Sequence, residues 1–278
     1  MILNAASNSA TPTAPRSEET FRGLLRDWRR RRLLDRRGLA RAAGLSTARL
    51  AEIESAGRGP DKAELAALAV ALGLSLADSN ALIAAAGQAP VYRVSDLAAP
   101  AMAEARRAIT FLLSRHEPFP AIVTDHHWEV LAANDAAQRL FRMMLGEARV
   151  ARPMNLMRLF LAPDELRRHI VNWPALAGVL LSRVRRDAAA APDDDRLRSL
   201  WRELRDYPDA AAAAMLDPPP GALCEVRFAA QGRELGLIGT VSAFAAPLDV
   251  TLEQLRIEAF IPADDASEAL LFGLAGQA

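Results

Sequence analysis

The sequence contains a single cysteine, Cys224, so no disulfide can close within it, and a reducing compartment suits the chain. It also contains a single lysine, Lys62; every other basic side chain is arginine. With so much alanine beside it, this usage points to GC-rich coding, and arginine richness alone carries no functional meaning. No apolar run approaches the ~20 residues that span a bilayer, so no membrane partner is expected. The first residues lack the charged-then-apolar order of a secretory signal, and a cytoplasmic bacterial protein is expected. The formal net charge is zero, which taken alone argues against a nucleic-acid partner. There is no HExxH, no GxSxG, no phosphate-cradling glycine loop and no CxxC. Nothing assembles a reaction, so catalytic residues, a cofactor and an enzyme are not expected.

What is present is asymmetry. The 278 residues, 51% of them hydrophobic, leave room for two domains with sizeable cores. Residues 1–90 carry 13 basic and 9 acidic side chains, whereas residues 91–278 carry 21 and 25. A basic first part on an acidic second part suggests DNA binding at one end. Residues 1–15, rich in Ala, Ser, Thr, Asn and Pro, read as a disordered lead-in. A helix from Ser17 to Arg32 follows, with Phe21, Leu24, Leu25 and Trp28 as its apolar stripe.

The stretch from Asp35 to Arg58 reads as two short helices joined by a tight turn. Leu39, Ala40 and Ala43 make one apolar stripe, and Gly44 supplies the positive φ that closes the first helix. Ser46 caps the second helix, in which Leu50 and Ile53 point to the core. Ser46, Thr47, Ala48, Arg49 and Glu52 are then expected on the DNA side, four of them on the outer face that meets base edges in a major groove. Arg36 and Arg58 are expected on phosphates. Asp61 and Ser75 open two further helices, which Gly73 and Gly87 end.

The letters LA.AAGLS...LAEIE..GR resemble the XRE helix-turn-helix family over five helices. The resemblance implies that Arg29 pairs with Glu54 inside the domain and that Arg36 stands where the family often carries a phosphate-contacting Gln. Leu33 departs from the pattern, in a loop position where Gly is common. The resemblance also implies double-stranded DNA as partner and a homodimer on inverted half-sites.

A linker is expected over residues 88–117, with Pro100 in the first turn of a connecting helix. The period then changes. FPAIVTD and WEVLAA read as a β-hairpin around His126-His127, and Asn134 caps the next helix. Residues 155–217 are helical in pattern, broken at Pro163, Pro174, Pro192 and Pro208, and the prolines at 218–220 with Gly221 end that section. Strands are expected over residues 223–229, 235–245 and 254–261, with Gln231-Gly232-Arg233 as a turn, before a closing helix from Asp264 to Leu274. The runs WEVLAANDAAQRLF, NLMRLFLAPDELRRHIVNW, RVRRD and PLDVTLEQLRIEAFIPAD resemble the C-terminal domain of MmyB-like regulators. The resemblance implies a PAS-like sheet of five antiparallel strands with helices over one face.

The expected fold is therefore α+β. An all-α, five-helix helix-turn-helix domain spans residues 16–87, and a PAS-like antiparallel sheet covered by helices spans residues 118–278. The sheet domain has an apolar surplus in Met143, Met144, Met154, Leu156, Met157 and Phe160. Trp173, Leu176 and Leu180 continue it on the next helices, and Phe244 and Phe260 on strands. Methionine-rich linings suit an adaptable pocket, and the MmyB-like resemblance implies a fatty acid or similar lipid-like ligand. Arg168, Asn172 and Arg183 flank these faces as candidate head-group anchors. The alternative is a ligand-free dimerisation or protein-interaction module. No metal ligand set is expected, because adjacent His126 and His127 on a strand would point to opposite faces. His169 suggests no haem, and Cys224 reads as a buried strand residue.

Overall fold

The computed structural model describes residues 18–55, 57–215, 223–230 and 232–276. The expected lead-in at 1–15, the stop at 218–221 and Gln231 of the expected turn lie outside the described residues. The chain folds as two compact units. One runs up to Asp96 and takes in Phe244–Glu253; the other comprises Leu97–Ala243 and Gln254–Ala278.

The N-terminal unit holds five helices: α1 (Glu18–Arg31), α2 (Arg36–Ala42), α3 (Thr47–Glu54), α4 (Lys62–Ala71) and α5 (Leu76–Ala85). Their starts are set by local chemistry. The side chains of Asp35, Ser46 and Ser75 accept backbone N–H groups at the first turns of α2, α3 and α5, and Asp61 with Glu64 closes a reciprocal capping box on α4. Gly44 adopts φ 66° in the turn between α2 and α3. Phe21, Leu25, Leu39, Leu50, Ile53, Leu65, Leu68, Leu72 and Leu82 are buried together as one core. Leu33 takes φ 55° with its side chain 93% exposed, a left-handed conformation that glycine adopts at less cost.

The segment Phe244–Glu253 belongs to this unit and ends in a short helix. Asp249 accepts a hydrogen bond from the Ser95 hydroxyl at 2.7 Å, and Glu253 accepts the Leu76 N–H at the start of α5 at 2.8 Å. The strand expected over 235–245 stops at Ser242, so Phe244 is not a strand residue.

In the C-terminal unit, Pro100 opens a 3-10 turn that leads into α6 (Ala103–Arg115). The hairpin follows as β1 (Ala121–Thr124) and β2 (Val130–Ala133). Helices α7 (Asp135–Leu145), α8 (Glu147–Val150) and α9 (Leu156–Leu161) come next, then a 3-10 turn at Leu166–His169. They are followed by α10 (Trp173–Ala190), α11 (Asp195–Arg205) and α12 (Ala210–Ala213). Strands β3 (Glu225–Ala230), β4 (Arg233–Ser242) and β5 (Arg256–Pro262) complete the sheet. The short helix in the preceding segment is α13 (Val250–Glu253), and α14 (Asp265–Ala275) comes after β5.

The five strands lie in the order β2-β1-β5-β4-β3, and every pair is antiparallel, so the fold is α+β with the five-stranded antiparallel sheet that the resemblance implied. Asn134 fastens the hairpin to α7. Its Oδ1 accepts the Ala121 and Ala137 N–H groups, and its amide donates to the Phe119 carbonyl. Gly178 lets α10 approach α12, since a Cβ there would sit 2.8 Å from the Ala213 carbonyl oxygen.

Candidate functional site

In the N-terminal unit the outer face of α3 is open. Ser46, Thr47, Ala48, Glu52 and Arg58 are all exposed. Arg49, expected among the base-reading residues, is arranged differently. Its side chain is 14% exposed and clamped. It donates to both Glu64 carboxylate oxygens at 2.7 and 2.8 Å, to Glu52 at 3.0 Å, and to the carbonyls of Arg58 and Gly59 at 3.0 and 2.8 Å. Five donors in a rigid fork suit this work, and Arg49 thereby holds the 58–64 loop against α3. Glu64 is held down to about 2, by the Arg49 hydrogen bonds first and against some cost of burial.

Arg36 also departs from a purely phosphate-facing role. Its Nε lies 2.6 Å from Glu54, whose carboxylate is fully buried and also accepts from Arg29 Nε at 2.6 Å. The Arg29–Glu54 pair is the one the family pattern implied. Burial raises the Glu54 pKa, but the two guanidinium groups outweigh it and hold the carboxyl below its ordinary value. Arg36 is half exposed.

In the C-terminal unit a cavity of about 260 Å³ opens between the sheet and the helices. The sheet side supplies alternate residues: Cys224, which stands just before β3 and is not the buried strand residue expected, with Val226 of β3, Gly239 and Val241 of β4, and Glu258 and Phe260 of β5. The spacing of two is the pleat, which puts i and i+2 on one face. Register brings them together, since Gly239 pairs with Phe260 and Val241 with Glu258. Leu156, Met157 and Phe160 of α9, with Leu176, Val179, Leu180 and Arg183 of α10, form the opposite wall.

The polar element of this lining is one ion pair. Arg183 Nη2 lies 2.7 Å from Glu258 Oε1, and Glu258 is only 2% exposed. The Arg183 guanidinium also sits 4.6 Å from the centre of the buried Trp128 ring, and Arg256 lies 4.5 Å from that ring's centre. Burial pushes the Cys224 thiol up, with Glu225 adding to it, so the thiolate is disfavoured at the cavity wall.

Seven of the sequence candidates therefore meet around the cavity: Leu156, Met157, Phe160, Leu176, Leu180, Arg183 and Phe260. Seven lie elsewhere. Asn172 does not anchor a head group, because it spans the edge of β3, donating to the Glu225 carbonyl and accepting the Arg227 N–H. Arg168 reaches the Met144 carbonyl, and Trp173 donates to the Phe160 carbonyl beneath the Arg167 guanidinium. Met144 is buried in the core and Met143 is packed against it, while Met154 lines a separate small recess beside β2. Phe244 groups with the N-terminal unit.

Val226, Gly239, Val241 and Glu258 escaped the sequence reading. Strand parity counted back from Phe260 would have found Glu258. A further cavity of about 220 Å³ lies within the N-terminal unit, lined by α4, α5 and residues 88–92. His126 and His127 occupy a turn, not a strand, and their rings lie together with centroids 3.6 Å apart. The expectation that they face opposite ways is therefore corrected.

Residues 105–274 match the family described as the MmyB-like transcription regulator ligand binding domain. Residues 20–82 match a helix-turn-helix domain. No curated relative matches the chain. Both matched families are regulator domains, and among the described residues no helix is long and apolar enough to cross a membrane.

Proposed function

Because the chain belongs to the family of the MmyB-like transcription regulator ligand binding domain and joins that domain to a helix-turn-helix domain, we propose that it is a sequence-specific DNA-binding regulator governed by a small apolar or amphipathic molecule. The molecule sits between β3–β5 and α9–α10. The observation that carries this reading is the cavity within residues 105–274, apolar on most sides and with a single ion pair at its wall. At about 260 Å³ it is just under the ~300 Å³ where small-molecule pockets usually begin. It suits a short or medium acyl chain, each buried methylene of which supplies ~0.8 kcal/mol. A fatty acid fits if its carboxylate shares Arg183 with Glu258; an alcohol or amide head group meets no such competition.

At the other end, Thr47, Ala48 and Glu52 meet base edges while Ser46 caps the reading helix. Arg58 and the half-exposed Arg36 hold phosphates, and Arg49 shapes the helix and its loop from behind. One such helix covers a short site, so the regulator acts as a homodimer on half-sites one helical turn apart, in the cytoplasm where the chromosome lies. Regulation requires that the ligand bind the DNA-competent and incompetent arrangements with different affinity.

The test starts from DNA selected by the full chain out of a random duplex pool. Fluorescence anisotropy then follows binding of that DNA with and without decanoic acid and decanol. Affinity should change at least tenfold with one of the two compounds. Gly239→Leu, which adds a side chain where nothing lies nearer than the Phe260 ring at 3.5 Å, should bind DNA but lose the response. DNA binding indifferent to an amphipath that demonstrably binds would overturn the regulatory reading.

A further inference from the structure

The turn between β1 and β2 places Asp125, His126 and His127 side by side, and each can present one ligand atom such that all three lie within 4.8 Å of one another. The surroundings fix which atoms are available. His127 Nε2 lies 2.9 Å from Asp194 Oδ2, and His126 Nε2 lies 3.3 Å from the same oxygen. Asp194 is itself held in place as the cap of α11, accepting the Arg196 and Leu197 N–H groups. With Nε2 of each ring turned to one carboxylate, Nδ1 is the nitrogen each ring has left to offer a metal ion. Among the described residues, both Nδ1 atoms are buried without a hydrogen-bond partner.

His127 Nδ1 faces Asp125 Oδ2 at 3.9 Å, too long for a hydrogen bond. The other oxygen of Asp125 is engaged by the His127 and Glu129 N–H groups. The nearby Glu129 carboxylate accepts from Asn155 and faces Arg158 and Arg196, so it stands outside the set.

We propose that Asp125, His126 and His127 bind a first-row divalent cation of the zinc class through Asp125 Oδ2 and the two Nδ1 atoms, with Asp194 as the carboxylate that orients both rings. Two imidazoles and one carboxylate are a borderline-soft donor set, suited to Zn²⁺ or Co²⁺ and poorly suited to Mg²⁺ or Ca²⁺. Tetrahedral zinc with N and O ligands needs neighbouring donors about 3.3 Å apart, and His127 Nδ1 and Asp125 Oδ2 already stand at 3.9 Å. A carboxylate on the far nitrogen of a ligating histidine fixes its tautomer and raises its basicity, which is the arrangement Asp194 provides to both rings. Three protein ligands leave a fourth position for water. The backbone supports the pairing. Trp128 takes φ 67° while its ring is buried, and this bend keeps the two preceding histidines within a turn, where both rings reach Asp194. Such an ion would tie the β1–β2 turn to the start of α11.

The experiment uses the untagged full chain, freed of metal by chelator and dialysis. Zn²⁺ is titrated against a competing chromophoric chelator, and Co²⁺ uptake is followed by visible absorption. The expected result is one equivalent bound, with the intense bands of tetrahedral Co²⁺. His126→Ala and Asp125→Asn should each weaken Zn²⁺ binding at least a hundredfold; the second is isosteric, so folding survives if the first disturbs it. Asp194→Asn keeps a good helix cap and should weaken binding by roughly 10- to 100-fold. No uptake of either ion would overturn the proposal. So would uptake that ignores Asp125→Asn, or one more sensitive to Asp194→Asn than to Asp125→Asn.

Discussion

Each unit of this chain buries a glutamate against arginine, and the two do different things with it. In the N-terminal unit Glu54 is enclosed by Arg29 and Arg36, both at 2.6 Å, with its carboxylate fully buried. In the C-terminal unit Glu258 meets Arg183 at 2.7 Å, and both line a cavity. A closed pair fastens helices; a pair with open space beside it can exchange partners. The same chemistry makes a clamp inside a helical core in one unit and a wall beside open space in the other.

Breaking the clamp should have the largest effect. Glu54→Ala leaves Arg29 buried without its partner and should cost roughly 3–5 kcal/mol. Hydrogen exchange on the full chain would read this in the amides of α1–α3, while those of β3–β5 hold their protection; a loss confined to under ~1 kcal/mol would reduce the clamp to a surface pair. Acid should act on the same side of the comparison. Glu54 and Glu64 both have carboxyl groups held below their ordinary values, Glu64 at about 2. A lowered folded-state value stabilises above the unfolded value of ~4.3 and loses that contribution as pH falls below it. The N-terminal unit should therefore lose protection progressively from about pH 4 toward pH 2, and Glu64→Gln should flatten that slope in an exchange series.

Arg49→Ala comes next. It removes the donors to Glu64, Glu52 and two loop carbonyls, and should cost ~1–3 kcal/mol in thermal unfolding. Arg36→Ala leaves the buried Glu54 its Arg29 partner and should cost less, about 1 kcal/mol. Equal losses in the two variants would remove the distinction between a shaping arginine and an outward one.

On the cavity side, Glu258→Gln should leave stability nearly unchanged but tighten binding of a carboxylate ligand roughly tenfold, about 1.4 kcal/mol, because Arg183 is then no longer shared with a charge. Calorimetric titration with decanoic acid against decanol checks it, and an equal gain for both compounds would mean that charge plays no part. The smallest effect is at the loop. Leu33→Gly relieves the positive φ at the expense of some unfolded-state entropy and should raise stability by roughly 0.5 kcal/mol.

The fold was legible wherever chemistry is local. Caps at Asp35, Ser46, Asp61, Ser75 and Asn134, the 3.6 period of the helices and the short Ile-, Val- and Trp-bearing runs of the hairpin all act over a few residues, and each appears where the sequence puts it. The candidate site was legible by half. Apolar helix faces on α9 and α10 announce themselves by spacing, so Leu156, Met157, Leu176 and Leu180 could be found. Val226, Gly239 and Glu258 belong to the cavity through strand register across β3, β4 and β5, which no single segment encodes. The polar residues misled for a related reason. Asn172, Arg168 and Arg49 each reach a partner far along the chain, and a side chain that reads as free in one dimension is committed in three. Phe244 falls in a segment that leaves the sheet at Ser242 and groups with the N-terminal unit.

The central claim is that the space between β3–β5 and α9–α10 holds the ligand. Titration of the delipidated full chain with straight-chain acids and alcohols of increasing length, compared with Gly239→Leu and Leu180→Trp, tests it most directly. The account predicts saturation at one molecule per chain, with affinity rising with chain length until the cavity is full, and binding at least tenfold weaker in both variants. Equal binding by the three proteins, or no saturable binding at any length, would contradict it.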